Sequence, residues 1–244
     1  MNAKGLDLSR YNGRGDWQAV KAAAISYVMI KAGGVYSASG VCYTDDLLAD
    51  HVAGAQSIGI PFGLYWFFLP FSPMQKQLDY FLGLVNQYQP QIPLAVDVES
   101  SNGKTAKITT DHLKTMVTTL KGAGKPVIIY TRQSYWDTNL LADPFWSSCE
   151  LWASRWSSGL TSPWSDGYFK FRDWSTWRMW QYSGDNNALA TTYGFPGPPE
   201  GDPDIDLNWY NGTEADLYAW IGADHPVLTL EERVARLEAA VFGH

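Results

Sequence analysis

Two acidic residues, Asp97 and Glu99, stand one residue apart at the end of an apolar, strand-like run, Pro93-Leu-Ala-Val-Asp-Val-Glu-Ser100. Side chains at positions i and i+2 of a β-strand project to the same side, so both carboxyl groups would leave the strand together, with their Cα atoms about 6.5–7 Å apart. Like charges held close in a poorly solvated site push their pKa values apart, which lets one carboxyl group act as a general acid while the other stays ionised. This spacing suits acid–base chemistry, although two acids that merely cap a strand would share it. We refer to Asp97 and Glu99 as the acid pair.

Further carboxyl groups stand in other segments with the pattern of strands. Asp7 stands at the end of the first predicted strand, within Gly5-Leu-Asp-Leu-Ser9, and Asp204 and Asp206 lie in the segment 204–210. In β/α barrels the active site lies at the C-terminal ends of the strands, and in a closed barrel the first and last strands are neighbours. We therefore expect Asp7 and Asp206 to reach the same mouth as the acid pair. Asp204 would lie on the same strand face as Asp206, so spacing alone leaves both candidates open.

The order of the segments predicts an α/β fold, a TIM-like barrel of irregular form. Short apolar segments alternate with helical ones through the first half of the chain, which is the pattern of a parallel sheet connected by crossover helices. After Trp136 the segments become rich in Trp and Ser, and loops rather than helices separate them, so we expect five β/α units closed by three β-strands. The predicted strands span 3–9, 26–32, 61–69, 92–99, 126–131, 150–156, 177–183 and 205–210, and the predicted helices 17–24, 44–57, 73–88 and 109–122.

The end of the chain has a different pattern. Residues 194–203 are rich in Gly and Pro, which predicts a surface loop before the last strand. Beyond residue 228, apolar residues recur in four-three-four spacing with charges between them, which predicts an amphipathic, coiled-coil-like helix. Two heptads are too few for an isolated coiled coil, so two roles stay open, packing on the barrel or self-association of chains. We expect a barrel domain at 1–222 and a linker with this helix at 223–244. The apolar positions are Leu230, Val234, Leu237 and Val241.

Composition excludes several classes of partner. With 18 Lys and Arg against 25 Asp and Glu, the net charge of −7 offers no basic surface for nucleic acid or for an anionic membrane. No apolar run reaches the roughly 18 residues of a membrane span, and the first residues lack the apolar core of a signal peptide, so we expect neither membrane insertion nor a secretory signal. Aromatic residues make up 15% of the chain, and their flat rings suit the apolar faces of sugars.

Cysteine and histidine indicate neither a metal site nor a disulfide. Cys42 and Cys149 are the only cysteines, and neither has a CxxC neighbour. The four histidines are scattered, without the spacing of metal ligands. We therefore expect no metal and no cofactor, and we expect both cysteines to be free.

Several segments match, in order, the motifs of one family from residue 5 to about residue 212. Each motif alone is weak, but the ordered set is specific. The chain resembles the glycoside hydrolase family 25 muramidases, also called Chalaropsis-type lysozymes, which are common among phage endolysins. The matching segments are Gly5-Leu-Asp-Leu-Ser9, Gly13-Arg-Gly-Asp-Trp17, Tyr27-Val-Met-Ile-Lys-Ala32, Gly59-Ile-Pro-Phe-Gly-Leu-Tyr65, Pro93-Leu-Ala-Val-Asp-Val-Glu99, Val127-Ile-Ile-Tyr-Thr131, Leu151-Trp-Ala153, Trp180-Gln-Tyr-Ser183 and Ile205-Asp-Leu-Asn208.

The resemblance implies a barrel of five β/α units completed by three strands, and cleavage of the β-1,4 bond between N-acetylmuramic acid and N-acetylglucosamine in bacterial peptidoglycan. By position, Glu99 matches the family's general acid, and Asp97 matches the acid that orients or stabilises the reacting sugar. Asp7 and Asp206 match two flanking carboxylates, and Asn208 fixes the register in favour of Asp206.

The saccharide contacts are less well defined by the motifs. The family often has His where Trp66 stands and Gln or His where Asn12 stands, so these contacts are expected to differ. The residues expected to bind the saccharide are Tyr65, Trp66, Phe68, Tyr130, Trp152, Trp180, Gln181 and Asp204.

Some alternatives remain open from the sequence. A chitinase-type barrel also uses paired acids, but Ala95 stands where its DxDxE run would need an acid. A non-catalytic glycan-binding module would keep the fold and the aromatic cleft. Retention could proceed through the substrate's acetamido group or through a direct carboxylate nucleophile. A phage endolysin, acting from the host cytoplasm on the wall, and a domain of a larger secreted protein would look alike.

Overall fold

The computed structural model describes residues 2–71, 73–157, 159–184, 187–197, 205–224 and 234. Within them nine strands form one sheet, and eight close into a barrel because β1 pairs with both β2 and β9. The remaining strand, β3, extends β2 as an antiparallel hairpin. The strands are β1 (Lys4–Leu8), β2 (Tyr27–Val35), β3 (Cys42–Thr44), β4 (Phe62–Phe67), β5 (Leu94–Asp97), β6 (Val127–Thr131), β7 (Glu150–Ser154), β8 (Met179–Ser183) and β9 (Asp206–Tyr210).

The barrel strands are parallel from β1 and β2 through β8, whereas β9 runs antiparallel to both of its neighbours, β8 and β1. A helix follows each of β1, β2, β4, β5 and β6 before the next barrel strand, while β7, β8 and β9 follow one another without a long helix. This confirms the predicted irregular α/β barrel. The helices are α1 (Trp17–Ala22), α2 (Leu48–Ile58), α3 (Met74–Tyr88), α4 (Ala106–Gly122), α5 (Gln133–Asn139), α6 (Asn187–Ala190) and α7 (Glu214–Ile221).

Successive side chains on the strands alternate between the barrel interior and the layer beneath the helices. The outer layer is apolar, and residues such as Val28 and Leu64 are fully buried there. A smaller apolar cluster, which includes Tyr27, Met29 and Trp152, fills the interior below the mouth. The interior is therefore a packed core, and only its upper end is left for polar side chains.

The lower end of the barrel is closed by α7. Its residue Leu217 is buried in the interior cluster, and Trp220 packs against the same cluster. Thr213 caps the helix in a capping box with Asp216, which fixes where α7 begins beneath the sheet. Access to the interior is therefore from the mouth, at the C-terminal ends of the parallel strands.

Several elements differ from the sequence-based expectation. The β3 hairpin, α5, α6 and α7 were not predicted, because a strand of three residues and helices of four to eight residues are too short to show a clear period. Helix α2 begins at Leu48 rather than at residue 44. Helix α4 begins at Ala106, earlier than expected, because Thr105 caps it by accepting a hydrogen bond from the backbone N–H of Ile108. The predicted C-terminal helix and Asp204 fall outside the described residues, apart from Val234.

No helix in the described ranges is both long enough and apolar enough to cross a membrane.

Candidate active site

The acid pair lies in a cleft at the mouth of the barrel, with a volume of about 300 Å³. The strand side chains that enter the cleft all belong to the inward face of the barrel, which alternates along each strand with the outward face. This inward face is apolar lower in the barrel and polar at the mouth. Loop residues beyond the strand ends complete the wall. The lining residues are Asp7, Tyr11, Lys31, Tyr65, Asp97, Glu99, Tyr130, Trp152, Trp156, Gln181 and Asp206.

Asp97 is the last residue of β5, and its side chain points inward at the floor of the cleft. Only 5% of the residue is exposed, and its Oδ1 atom has no hydrogen-bond partner in the described part of the chain. Burial raises the pKa of Asp97 well above its usual range, and the nearby charges of Glu99 and Asp7 raise it further, while Lys31 lowers it. The site therefore contains a buried carboxyl oxygen that is free to accept a hydrogen bond from a ligand.

Glu99 follows β5 by two residues and opens onto the cleft. The surface of Glu99 reaches solvent, although the cleft walls displace water from several sides. Desolvation raises the pKa of Glu99, and the positive charges of Lys31 and Arg132 lower it. The pKa values of both carboxyl groups are raised, so the acid pair holds a proton more readily than isolated carboxyl groups do. Of the two, Glu99 is the one that an incoming substrate can reach.

Lys31 supplies a positive charge beside the acid pair. It shares its inward direction with Tyr27 and Met29 on β2, and its ammonium group lies 5.0 Å from the ring centre of Phe67 and 5.9 Å from that of Tyr65. A register shift follows in β2 between Lys31 and Gly33, where β3 crosses so closely that a Cβ on Gly33 would lie 1.9 Å from the carbonyl oxygen of Tyr43. This irregularity lies directly next to the lysine.

Asp7 and Asp206 lie opposite the acid pair, where the amide of Gln181 joins them and the amide of Asn208 donates to Asp7. Asn208 Nδ2 donates to Asp7 Oδ2 at 2.7 Å, and Gln181 Nε2 lies 3.0 Å from Asp7 Oδ2 and 3.2 Å from Asp206 Oδ2. Trp152 Nε1 in turn donates to Asn208 Oδ1 at 2.7 Å. We call Asp7, Gln181, Asn208 and Asp206 the amide network. Asp7 and Asp206 are direct partners across β1 and β9, which meet at the mouth because β9 begins there.

The side-chain oxygen of Gln181 holds two aromatic residues of the opposite wall in place. This atom, Oε1, accepts hydrogen bonds from Tyr130 Oη at 2.8 Å and from Trp156 Nε1 at 2.8 Å. Trp156 is 53% exposed, and its ring packs over Gly184, where a Cβ would lie only 2.2 Å from the ring. Gln181, itself 2% exposed, thus positions an exposed aromatic ring at the cleft and both carboxylates of the amide network.

The structure separates the predicted saccharide-binding residues into two groups. Tyr65, Tyr130, Trp152 and Gln181 line the cleft. The remaining described residues, Trp66, Phe68 and Trp180, are buried outside the barrel interior, so the expectation that they contact saccharide is corrected.

The burial of these three side chains has clear causes. Trp66 follows the inward-facing Tyr65 and so points outward, where it stacks on Phe81 of α3 and donates to Gln77 Oε1 at 3.1 Å. Phe68 lies two residues after Trp66, so it points to the same outward side, and it is fully buried. Trp180 points away from the interior because Gln181 points into it, and its Nε1 donates to the backbone oxygen of Arg155.

Four residues near the acid pair were not predicted from the sequence. Lys31 could have been found, because it is the polar residue at the end of an inward-facing series on its strand. Tyr11, Arg132 and Trp156 lie beyond strand ends, where loop paths rather than strand parity decide direction.

Two other kinds of site are possible among the described residues, a larger cavity and a metal site, and neither is a better candidate than this cleft. A cavity of about 450 Å³ lies at the opposite end of the barrel, but its charged groups are paired, with Arg178 Nε 2.8 Å from Glu150 Oε1 and Arg172 bound to Asp173. In the described ranges no group of three or more His, Cys, Asp or Glu side chains is arranged to hold a metal ion.

Comparisons with known proteins agree with the architecture. The model of the glycosyl hydrolases family 25 matches residues 6–190. Lysozyme M1 of Streptomyces globisporus is 29% identical over 232 residues, which cover 88% of this chain and 70% of that protein.

Solved structures give the same picture. The bacterial lysozyme of Streptomyces coelicolor superposes with a TM-score of 0.69 at 25% identity, over 90% of this chain and 96% of that one. The CTP1L endolysin superposes with a TM-score of 0.68 over 99% of this chain and 80% of that one, and at 17% identity it is a likeness of fold alone. The order of motifs, the irregular barrel and the family match agree, and the chain belongs to family 25 of the glycoside hydrolases.

Proposed function

We propose that this glycoside hydrolase is an N-acetylmuramidase, which cleaves the β-1,4 bond between N-acetylmuramic acid and N-acetylglucosamine in bacterial peptidoglycan. Membership of family 25 and the similarity to Lysozyme M1 and to the Streptomyces coelicolor lysozyme support this proposal. The observation that carries it is the buried Oδ1 of Asp97, which has no hydrogen-bond partner among the described residues, beside the accessible carboxyl group of Glu99. A 2-acetamido sugar offers the N–H donor that Asp97 lacks, next to a glycosidic oxygen that Glu99 can protonate.

In the proposed mechanism, Glu99 gives its proton to the leaving oxygen while the bond from that oxygen to C1 breaks. The acetamido oxygen of the same sugar forms a new bond to C1, and Asp97 accepts the acetamide N–H and offsets the positive charge that develops. Water then attacks C1 and gives a proton to Glu99 while the bond from C1 to the acetamido oxygen breaks and the acetamido group is restored, so the product keeps its anomeric configuration. NMR of fresh product should show the β-anomer first, whereas the α-anomer appearing first would exclude this route.

Asp7 and Asp206 have supporting roles in this proposal. Both are tied into the amide network, so their positions are fixed before substrate arrives. Their negative charges face the cleft from the side opposite the acid pair, where they favour the positive charge of an oxocarbenium-like transition state. Asp7 also favours the protonated form of the acid pair, since its negative charge raises the pKa of Asp97.

Clearing of purified cell walls tests the activity. Glu99→Gln loses only the transferable proton, so we expect the rate of clearing to fall by about a hundredfold or more, with normal folding and wall binding. Glu150→Gln is the matched control, because Glu150 pairs with Arg178 at the opposite end of the barrel. A wild-type protein that binds walls without releasing muropeptides would instead be a glycan-binding module. Equal clearing by wild type and Glu99→Gln would remove Glu99 from the mechanism.

We further propose that this muramidase serves as the catalytic part of a phage endolysin. The shared fold with the CTP1L endolysin is compatible with that role. Expression in the cytoplasm of a bacterium with a susceptible wall should leave cells intact until the membrane is permeabilised, after which turbidity should fall within minutes. Lysis without permeabilisation, or export of the protein by the cell, would favour a secreted wall hydrolase.

A further inference from the structure

A second chamber opens beside the active-site cleft, between the ends of β6 and β7. Its volume is about 280 Å³, close to that of the cleft itself. Glu99, Tyr130 and Trp156 line both spaces, so the exposed indole ring of Trp156 and the acid Glu99 stand on the boundary between them. A substrate held at the acid pair would therefore have one of its substituents next to this chamber.

Two guanidinium groups face the second chamber, and they differ in their partners. Arg155 forms an ion pair with Asp166 and lies 5.1 Å from the ring centre of Phe169, so it belongs to the wall. Arg132 is exposed, and no carboxylate in the described part of the chain lies within ion-pair distance of it. The charge of Arg132 is felt at Glu99, whose pKa it lowers. The chamber thus presents one guanidinium with open hydrogen-bonding capacity.

The character of this chamber differs from that of the cleft. The cleft has carboxylates on two sides, at the acid pair and at the amide network, with Lys31 as the cation facing them. The second chamber has only Glu99 as an acid, at its boundary, against two guanidinium groups. A neutral sugar suits the cleft, whereas an anion suits the chamber. The planar fork of a guanidinium matches a carboxylate, which can accept two parallel hydrogen bonds from it.

We propose that this second chamber binds a carboxylate of the lactyl-peptide substituent on a muramoyl residue, with Arg132 as the residue that recognises it. This inference rests on the proposed muramidase function, because a muramoyl residue is what brings such a carboxylate to the cleft. Ser154 and the backbone wall around Arg155 shape the chamber, and Trp156 separates the bound substituent from the sugar ring. Arg132 is then a specificity-determining residue rather than part of proton transfer.

The test compares three substrates that differ in their carboxylates. The first is a soluble glycan that carries peptide stems with free carboxylates, and the second is the same glycan after its carboxylates have been converted to methylamides. The third is a glycan from which an amidase has removed the stems, so that only lactyl carboxylates remain. The measured quantities are kcat and KM for wild type, Arg132→Ala, Arg132→Lys and the control Arg14→Ala, whose exposed guanidinium pairs with Asp50 outside both spaces.

We expect Arg132→Ala to lose about tenfold in kcat/KM on the carboxylate-bearing glycan, mainly through a higher KM. On the methylamide glycan it should resemble wild type, and Arg132→Lys should lie between the two because it keeps the charge without the fork. In stem-bearing glycan the lactyl carboxyl group is an amide, so a loss on that glycan reports a carboxylate of the peptide. A similar loss on stripped glycan means that the freed lactyl carboxylate also occupies the chamber, and a loss confined to stripped glycan assigns the chamber to the lactyl carboxylate alone.

Two results would overturn the inference. An equal loss on the carboxylate and methylamide glycans would mean that Arg132 acts only through Glu99, and that loss would fall on kcat and on the pH profile. Unchanged kinetics on every substrate would mean that the chamber binds nothing in turnover. A wild-type protein without activity on any of the three glycans would instead refute the muramidase proposal, so the two failures can be told apart.

Discussion

The acid pair and the amide network both place carboxyl groups at the mouth of the barrel, but they differ in how those carboxyl groups are hydrogen-bonded. Asp97 is buried with an oxygen that has no partner among the described residues, and its pKa is raised by burial and by neighbouring negative charge. Asp7 is equally buried, yet Asn208 and Gln181 both donate to it. One carboxyl group is left available for a ligand, whereas the other is held within the protein.

The difference shows how one barrel can combine reactivity and rigidity. A buried carboxyl group without a donor costs stability, and that cost is tolerable at a position where substrate supplies the missing donor. A buried carboxylate with several donors contributes to a fixed geometry, because each hydrogen bond restrains the next. The amide network therefore holds the barrel mouth in place, and in the proposed mechanism the acid pair performs the chemistry there.

The substitution Asp97→Asn should have the largest effect and should separate activity from stability. We expect activity to fall by about 10²–10⁴-fold, because the carboxylate that stabilises the reacting sugar is lost. We also expect the variant to be more stable than wild type near neutral pH. The measurements are the rate of wall clearing and the melting temperature across a pH series.

The sign of the stability effect follows from the raised pKa of Asp97. Below the pKa of the unfolded state, Asp97 is protonated in both states, and wild type and Asp97→Asn should be similar. As pH rises towards the folded-state pKa, the unfolded state releases its proton first, so wild type loses stability that the variant keeps. Asp7→Asn is the matched comparison and should lower the melting temperature, because an amide NH₂ would face the donors of Gln181 and Asn208. Equal signs for the two variants would remove the distinction between the two carboxyl groups.

A smaller effect is expected from Gln181→Leu, which breaks the amide network without removing a carboxylate. Loss of its hydrogen bonds should lower the melting temperature by about 2–10 °C, from about 1–3 kcal/mol of lost stability. We expect kcat/KM to fall as well, by about tenfold, because Asp7, Asp206 and Trp156 all lose a partner.

The control for that variant is Gln77→Leu. Gln77 is equally buried and donates to the backbone oxygen of Leu69, but it lies in the outer layer against Trp66. This variant should lower the melting temperature by a similar amount and leave kcat/KM of the folded protein unchanged. Loss of catalysis in Gln77→Leu, or its retention in Gln181→Leu, would contradict the assignment of the amide network to the site.

The smallest effect is a shift in pH dependence with Lys31→Met. Lys31 lowers the pKa of both Asp97 and Glu99, so its removal should raise the pKa of both carboxyl groups. The general acid would then stay protonated to higher pH, and the alkaline limb of the profile of kcat/KM should move upward. Lys4→Met provides the control, because Lys4 also lies over aromatic rings but at the other end of β1. A downward shift with Lys31→Met would be inconsistent with this electrostatic role.

Much of the fold and the core of the site could be predicted from strand periodicity. The alternation of side chains along a strand places Asp97 on the inward side, and the register of β1 with β9 places Asp7 beside Asp206. The same rule, applied strictly, would have removed Trp66, since consecutive strand residues cannot both face the cleft with Tyr65. It would also have added Lys31.

Other features could not be predicted in this way. The direction of β9 decides that Asp206 lies at the mouth from the start of its strand, and an isolated strand sequence carries no direction. Trp156 and Arg132 follow the ends of β7 and β6, so their placement depends on loops and on contacts such as the packing of Trp156 over Gly184. The hydrogen bonds of Gln181 join residues far apart in sequence, and local pattern does not encode them.

The reversed direction of β9 also decides on which side the chain leaves the barrel. Tyr210, the last residue of β9, hydrogen-bonds with Ala3 at the base, and α7 then turns beneath the sheet. Residues 222–224 therefore depart from the side away from the mouth. A module or surface tether joined there would leave the path of a long glycan strand unobstructed, which makes this position suited to fusion and immobilisation of an active enzyme.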